Sequence, residues 1–140
     1  MTLKKIPVSG KRPYPPRVSE FTQRFWAELG DGRLVTTSCA KCAKRSFPPK
    51  PFCPHCWHEH VDWATLSPAG VVYSSTVMHA VPAYFKHEAP YRVGIVDLDD
   101  GVRIATRLLG VATGFGVGER VEIVHLAYDD GPLFAARAGA

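Results

Sequence analysis

The four cysteines of this 140-residue chain form two Cys-x2-Cys pairs, Cys39 with Cys42 and Cys53 with Cys56. Each pair can turn two thiolates toward one metal ion. The ten residues between the pairs are enough for one strand to leave the first turn and another to return to the second. The pattern predicts a zinc ribbon with one structural zinc on four cysteines, which leaves no open position for water or substrate.

Two alternatives to this zinc site stay open at the level of sequence. The cysteines could form two disulfides in a secreted protein, or His55, His58 or His60 could replace a cysteine as a ligand. The paired spacing favours metal over disulfides, and the first residues contain no apolar run of signal-peptide length. No segment has the roughly 20 apolar residues of a membrane span. We therefore expect a cytoplasmic protein whose thiols are free for metal.

The net charge of +4 is spread unevenly along the chain. Residues 1–18 contain five basic side chains, no acidic one and four prolines, which predicts an extended basic arm that stays outside the core. The ribbon is expected at residues 33–66, and its residues 33–60 sum to +4. A ribbon of this size cannot build a core alone and depends on its metal for folding.

Residues 19–32 predict a short aromatic amphipathic helix with Ser19 as its N-cap. Phe25 and Leu29 lie on one face at a spacing of four residues, with Trp26 beside them. A helix this short is marginal by itself and needs a surface to lie on. That surface is either the body of this protein or a partner.

Residues 67–140 predict an all-β domain of about five strands. Tyr91–Leu98 and Glu119–Leu126 alternate apolar and polar side chains, and Asp99–Gly101 is a hairpin signal. One long connection, Ala80–Pro90, interrupts the short turns. A five-stranded OB-fold barrel fits this count, because closure removes exposed strand edges. The expected fold class is mainly β, with an N-terminal helix and zinc ribbon before the barrel.

Several short motifs follow one another in order through residues 20–137. They include Phe25-Trp26, Phe47-Pro48-Pro49, Cys53-Pro54-x-Cys56 and Gly70-x-Val72-Tyr73-Ser74. In this order they resemble the rubredoxin-like zinc-ribbon plus OB-fold family associated with acyl-CoA enzymes. The resemblance implies a non-catalytic accessory subunit of a thiolase-fold or related acyl-CoA enzyme. Such a subunit helps to bind or position an acyl or acyl-CoA substrate and stabilises a hetero-oligomeric complex.

The chain departs from the pattern of that family at three positions. Ala43 and Trp57 stand where a glycine usually follows each cysteine turn, and Lys50 stands where an arginine usually follows Phe-Pro-Pro. A residue just after such a turn often has a positive φ, so we expect zinc binding with some backbone strain. Lys50 keeps the charge of arginine but loses its bidentate contact with phosphate or carboxylate.

No residue group predicts catalysis by this chain alone. Zinc uses all the cysteines, and no nucleophilic serine elbow, metalloprotease motif or phosphate-binding glycine loop occurs. Asp97, Asp99 and Asp100 are expected to be solvated turn residues. His79 and His87 flank the long connection as isolated histidines without an evident partner. Catalytic residues are therefore not assigned.

Contacts with acyl-CoA or a partner are expected from three groups of residues. The first is the aromatic helix, and the second is the long connection, because such loops lie at the mouth of OB barrels, where ligands bind. The third is formed by basic ribbon and strand residues that could meet the phosphates of CoA. The alternative is that the aromatic residues cap the core and the basic ones are solvated. The expected contact residues are Phe25, Trp26, Lys50, Tyr84, Phe85, Arg92 and Arg103.

The alternative function is a module that binds single-stranded nucleic acid, because zinc ribbons and OB folds both occur in such proteins. An OB groove for single strands should be basic, whereas residues 61–140 sum to −3. The expected partner is therefore a thiolase-fold or other CoA-thioester enzyme. Neither a nucleic acid nor a membrane is expected as a partner.

Overall fold

The computed structural model describes residues 2–110 and 116–138. Parts of the predicted arm and of the predicted OB domain, residues 1, 111–115 and 139–140, lie outside this description. In chain order the elements are β1 (Lys5–Pro7), α1 (Gln23–Gly30), β2 (Val35–Cys39), β3 (Arg45–Ser46), β4 (Val61–Thr65), β5 (Ala69–Met78), a 3-10 helix (Ala83–Glu88), β6 (Tyr91–Leu98), β7 (Arg103–Leu109), β8 (Arg120–Tyr128) and β9 (Gly131–Ala138).

Five of these strands form a closed barrel. β5 pairs with β6, β6 with β7, β7 with β9, β9 with β8, and β8 returns to β5. All of these pairs are antiparallel except β7 with β9, which run parallel. The predicted mainly-β fold with an OB-fold barrel is confirmed. β2, β3 and β4 form the separate antiparallel sheet of the ribbon.

The ribbon and the barrel share one hydrophobic core. Leu34 and Leu66, at the base of the ribbon, are at most 1% exposed and belong to the same cluster as Val96, Ile104 and Ile123 of the barrel. Alternate residues of each strand point to one face, so the inner row of each barrel strand contributes to this cluster. The ribbon therefore depends on the barrel for its apolar burial as well as on its metal.

The helix packs on the body of this protein. It begins at Gln23, one turn later than the Ser19 cap predicted, and its N-cap is Thr22. Ser19 still stabilises the turn before the helix, because the Thr22 N–H donates to Ser19 Oγ at 3.1 Å. Phe25 meets two aromatic rings edge-on, Phe47 of the ribbon at 5.8 Å and Phe134 of β9 at 6.2 Å between centroids. The helix thus joins the ribbon to the barrel.

The prediction that the N-terminal arm stays outside the core was wrong for its first residues. Leu3 is 4% exposed and belongs to the main core, and β1 pairs in parallel with β8. β5 covers only the stretch Arg120–Glu122 of β8, which leaves the next residues of that edge open for β1. β1 has three residues, which are too few for a strand period to be recognised in the sequence.

Candidate metal centre and ligand groove

The four cysteines converge at the tip of the ribbon, where all their Sγ atoms lie within 4.8 Å of one another. The Sγ atoms of Cys39 and Cys56 are 3.6 Å apart, as are those of Cys42 and Cys53. A tetrahedral zinc with Zn–S bonds of about 2.3 Å needs sulfurs about 3.8 Å apart, which matches this spacing. The predicted structural zinc site is confirmed. In residues 2–110 and 116–138 no histidine joins the cluster.

Backbone N–H groups prepare the cysteines for metal binding. The N–H groups of Cys42 and Lys41 both donate to Cys39 Sγ at 3.3 Å. The Cys42 N–H, with that of Lys41, lowers the pKa of Cys39 to about 6 against the opposing effect of burial. The second turn repeats the geometry, because the N–H groups of His55 and Cys56 donate to Cys53 Sγ at 3.4 Å. The thiolate is the form that ligates zinc.

The residue after each cysteine turn has the positive φ expected there. Ala43 has φ 63° and Trp57 has φ 65°, and their N–H groups donate to the carbonyl oxygens of Cys39 and Cys53. This conformation costs a non-glycine residue roughly 1–2 kcal/mol. The Trp57 side chain is 72% exposed and stacks on Phe52 at 5.6 Å.

A groove of about 570 Å³ separates the ribbon from the β6–β7 hairpin. The ribbon side of the groove presents Arg45, Lys50 and His55, and the hairpin side presents Asp97 and Arg103. The sequence predicts Lys50 and Arg103 as contact residues in two different parts of the chain. The structure places both in this groove. We call this site the ribbon–barrel groove.

Arg103 has a fixed position in the ribbon–barrel groove. Its Nε and Nη2 donate to the two carboxylate oxygens of Asp97 at 2.6 and 3.1 Å. Its guanidinium lies 3.7 Å from the centre of the Tyr73 ring, which a bulge in β5 turns outward. The Arg103 side chain remains 54% exposed, so its outer N–H groups are accessible to a ligand. Sequence reasoning missed Tyr73, because the bulge interrupts the strand alternation.

The three hairpin aspartates remain partly exposed, as expected of turn residues, and each is paired with an arginine. Asp99 accepts from Arg120 at 2.7 Å, and Asp100 lies 3.6 Å from Arg45. Asp97 faces Arg103 in the register of the hairpin, and that guanidinium lowers the pKa of the Asp97 carboxyl.

Two aromatic residues of the long connection lie apart from the ribbon–barrel groove. Tyr84 is 61% exposed and meets Tyr14 of the arm edge-on at 5.3 Å. Phe85 packs near Tyr91 at 6.2 Å and beneath the guanidinium of Arg107 at 5.6 Å. Phe85 lines a second cavity, which does not include Lys50 or Arg103.

The remaining expected contact residues do not join either cavity. Phe25 is 5% exposed and is part of the core, so its side chain is not available at the surface to a ligand or partner. Trp26 is partly buried against the same core. Arg92 lines a third depression near Pro90 and Leu109. The amphipathic pattern of the helix identifies its buried face, but it does not indicate which protein covers that face.

Two family models match the chain. The rubredoxin-like zinc ribbon domain of ChsH2 matches residues 26–61, and the C-terminal OB-fold domain of ChsH2 matches residues 63–125. The benzoylsuccinyl-CoA thiolase subunit BbsA of Thauera aromatica is 34% identical over 111 residues, which are 77% of this chain and 76% of that protein. The chain belongs to the ChsH2 family of zinc-ribbon and OB-fold proteins.

Other proteins are similar to this chain over different lengths. A probable enoyl-CoA hydratase alpha subunit of Thermomonospora curvata is 43% identical over 91 residues, which are 63% of this chain. The match spans only 28% of that relative. A solved chain described as Ltp2-ChsH2(DUF35) aldolase has a TM-score of 0.79 and 31% identity, covering 90% of this chain and 100% of that one. Among the described residues no helix has the length and apolar character to span a membrane.

Proposed function

We propose that this protein is a non-catalytic accessory subunit of a thiolase-fold or related CoA-thioester enzyme, and that its ribbon–barrel groove binds the phosphates of CoA. The convergence of Lys50 and Arg103 in one groove carries the proposal. Its family context supports the choice of partner, since named relatives include a thiolase subunit and an aldolase. The proposed location is cytoplasmic, because a reducing compartment keeps the four thiols free for zinc.

The charges of the groove suit a phosphate. Three cationic side chains, Arg45, Lys50 and Arg103, line it together with one carboxylate, Asp97. Lys50 forms no ion pair in the part of the chain that the structure describes. Its backbone N–H donates to Thr37 Oγ1 at 3.0 Å. An ammonium without a carboxylate partner is free to meet an anion, and charge-assisted bonds to phosphate are strong.

The accessory role predicts a stable complex with an enzyme. Affinity purification of the tagged protein from its source organism, after nuclease treatment, should recover a CoA-thioester enzyme at fixed stoichiometry. Mass spectrometry would identify the enzyme and thereby the acyl substrate. Recovery of this chain by itself, with no enzyme, would contradict the accessory role.

The phosphate role predicts a specific loss of CoA binding. Lys50→Ala and Arg103→Ala should each weaken CoA binding about tenfold, because each removes a charge that contacts phosphate. Lys41→Ala is the matched control, since Lys41 is an exposed ribbon lysine outside the groove. Calorimetric titration of the zinc-loaded protein measures all three variants. Equal loss in the control would show that ribbon charge acts generally and that the groove is not a site.

A further inference from the structure

A second cavity, of about 240 Å³, is lined by residues of the arm, the 3-10 helix and strands β7, β8 and β9. β7 and β9 pair over only two residues, at the C-terminal end of β7. On the N-terminal side of that pairing, Thr106 of β7 and Leu133 of β9 line one gap. Phe85 of the 3-10 helix and Pro13 of the arm line the same gap. We call this space the barrel cavity.

The barrel cavity is lined by apolar side chains and by one pair of charged side chains. Its walls include Phe85, Leu126 and Phe134, and its polar groups include Glu88 and Arg107. Arg107 Nη1 donates to Glu88 Oε1 at 2.5 Å, so the two charges offset each other. An anionic ligand group here would face the Glu88 carboxylate and is therefore disfavoured.

One oxygen of Glu88 has no hydrogen-bond partner. Glu88 Oε2 is inaccessible to solvent and receives no hydrogen bond in the described structure. The His87 Nε2 atom is 3.8 Å away, which is too far for a hydrogen bond. Buried polar atoms in native proteins are nearly always hydrogen-bonded. A ligand with an O–H or N–H group would supply the missing donor.

The barrel cavity connects to the ribbon–barrel groove along one strand. Arg103, Ala105 and Arg107 share the outer face of β7, because alternate residues of a strand point the same way. Arg103 lines the groove and Arg107 lines the cavity, about 13 Å apart at 3.3 Å per residue. Between them lies a shallow trough with small or β-branched side chains, among them Ser74, Ile95 and Ala105.

We infer that the barrel cavity receives the acyl group of a CoA thioester whose phosphates bind in the ribbon–barrel groove, the pantetheine arm following the trough between them. This inference rests on the proposed function. The preferred acyl group contains one six-membered ring, since an apolar cavity of about 150 Å³ holds benzene. It also has a hydroxyl or amide N–H that donates to Glu88. The thioester then lies near the exposed Ala105, where a partner enzyme can reach it.

The test is an NMR titration of the zinc-loaded full chain with CoA, benzoyl-CoA and 4-hydroxybenzoyl-CoA. Benzoyl-CoA should bind about tenfold more tightly than CoA, and only the acylated ligands should shift the amides of Thr106 and Leu133. 4-Hydroxybenzoyl-CoA should bind more tightly again by a few-fold, because its hydroxyl reaches Glu88. Glu88→Gln should abolish this last preference and keep the preference for the ring.

Ala105→Phe is the blocking variant, because it places a ring at the exposed mouth of the cavity. It should bring the affinity for benzoyl-CoA down to that for CoA. Thr65→Phe is its matched control, since Thr65 is exposed on a strand of the ribbon sheet and does not line the cavity. The control should keep the tenfold difference.

Three outcomes overturn the inference. Equal affinity for CoA and benzoyl-CoA does so while leaving the accessory role and the phosphate site intact. Absence of any CoA binding overturns the inference together with the phosphate site. Displacement of benzoyl-CoA by a single-stranded oligonucleotide, with affinity that falls steeply as salt rises, identifies the face as a nucleic-acid site instead.

Discussion

At the scale of single residues, two positions combine ordinary side chains with an unusual backbone. Ala43 and Trp57 adopt the left-handed conformation that closes each cysteine turn, and both N–H groups are used in hydrogen bonds. Their side chains are not needed for this geometry, because the zinc turn is built from backbone groups and sulfur. Zinc binding therefore has to offset a local backbone cost.

Replacing Ala43 by glycine should stabilise the zinc-loaded protein by up to about 1 kcal/mol. The left-handed cost of roughly 1–2 kcal/mol disappears, while the added freedom of glycine in the unfolded chain removes part of the gain. Ala40→Gly is the control, because Ala40 lies in the same turn without a positive φ; it should lose stability. Chemical denaturation measures the free energy of unfolding of both variants. A lower value for Ala43→Gly than for the unmodified protein would contradict the prediction that the backbone at Ala43 is strained.

His125 should make stability depend on pH. It is 5% exposed, and burial, together with the charge of Lys5, lowers its pKa in the folded state. The unfolded chain takes up this proton first, near pH 6.5, so the free energy of unfolding falls as pH drops from there to the folded pKa. His125→Leu should lose this part of the pH dependence. If the difference in the free energy of unfolding between the two proteins stays the same from pH 7 to pH 5, His125 does not cause this pH dependence.

At the scale of elements, the arm packs against the barrel. Beyond β1, the Gly10 N–H donates to Asp129 Oδ2 at 3.0 Å, and the Arg12 guanidinium donates to the carbonyl oxygens of Asp130 and Pro132. A Cβ at Gly131 would lie 2.7 Å from the Arg12 guanidinium, so the missing side chain makes room for it. The arm also places Pro13 at the barrel cavity.

Arg12→Ala should therefore cost about 1–2 kcal/mol of stability, since it removes several hydrogen bonds from a side chain that is 14% exposed. Hydrogen exchange at the Val8 N–H, which donates to Ala127 O, should become faster as the arm loosens. Arg17→Ala is the matched control, because Arg17 is an exposed arm arginine, and it should change stability by less than about 0.5 kcal/mol. Equal exchange rates in the two variants would argue against the arm contact.

At the scale of the whole molecule, one core ties the metal site to the barrel. The helix, the base of the ribbon and the inner face of the barrel contribute to the same buried cluster. The ribbon–barrel groove exists only because this core fixes the ribbon beside the β6–β7 hairpin. Metal binding should therefore influence ligand binding at a distance.

Removal of zinc should destabilise the barrel as well as the ribbon. A chelator, or Cys39→Ser, takes away the metal that orders the cysteine turns, and binding energy of structural zinc is folding energy. We expect a lower unfolding midpoint for barrel amides such as Val96 and a large loss of CoA affinity, both restored when zinc is returned to the chelated protein. Barrel amides that keep their full stability without zinc would show that the two parts are independent.

Local patterns in the sequence determined the zinc ligands and the bounds of β6, because each depends on residues close together in the chain. The amphipathic helix was visible for the same reason. Lys50 and Arg103 share a groove only through the shared core, and they are too far apart in sequence for any local period to show it. β1 has three residues, too few for a strand period to be recognised. The tertiary structure alone decided where the arm lies and which charges meet, because long-range packing and strand closure set these contacts.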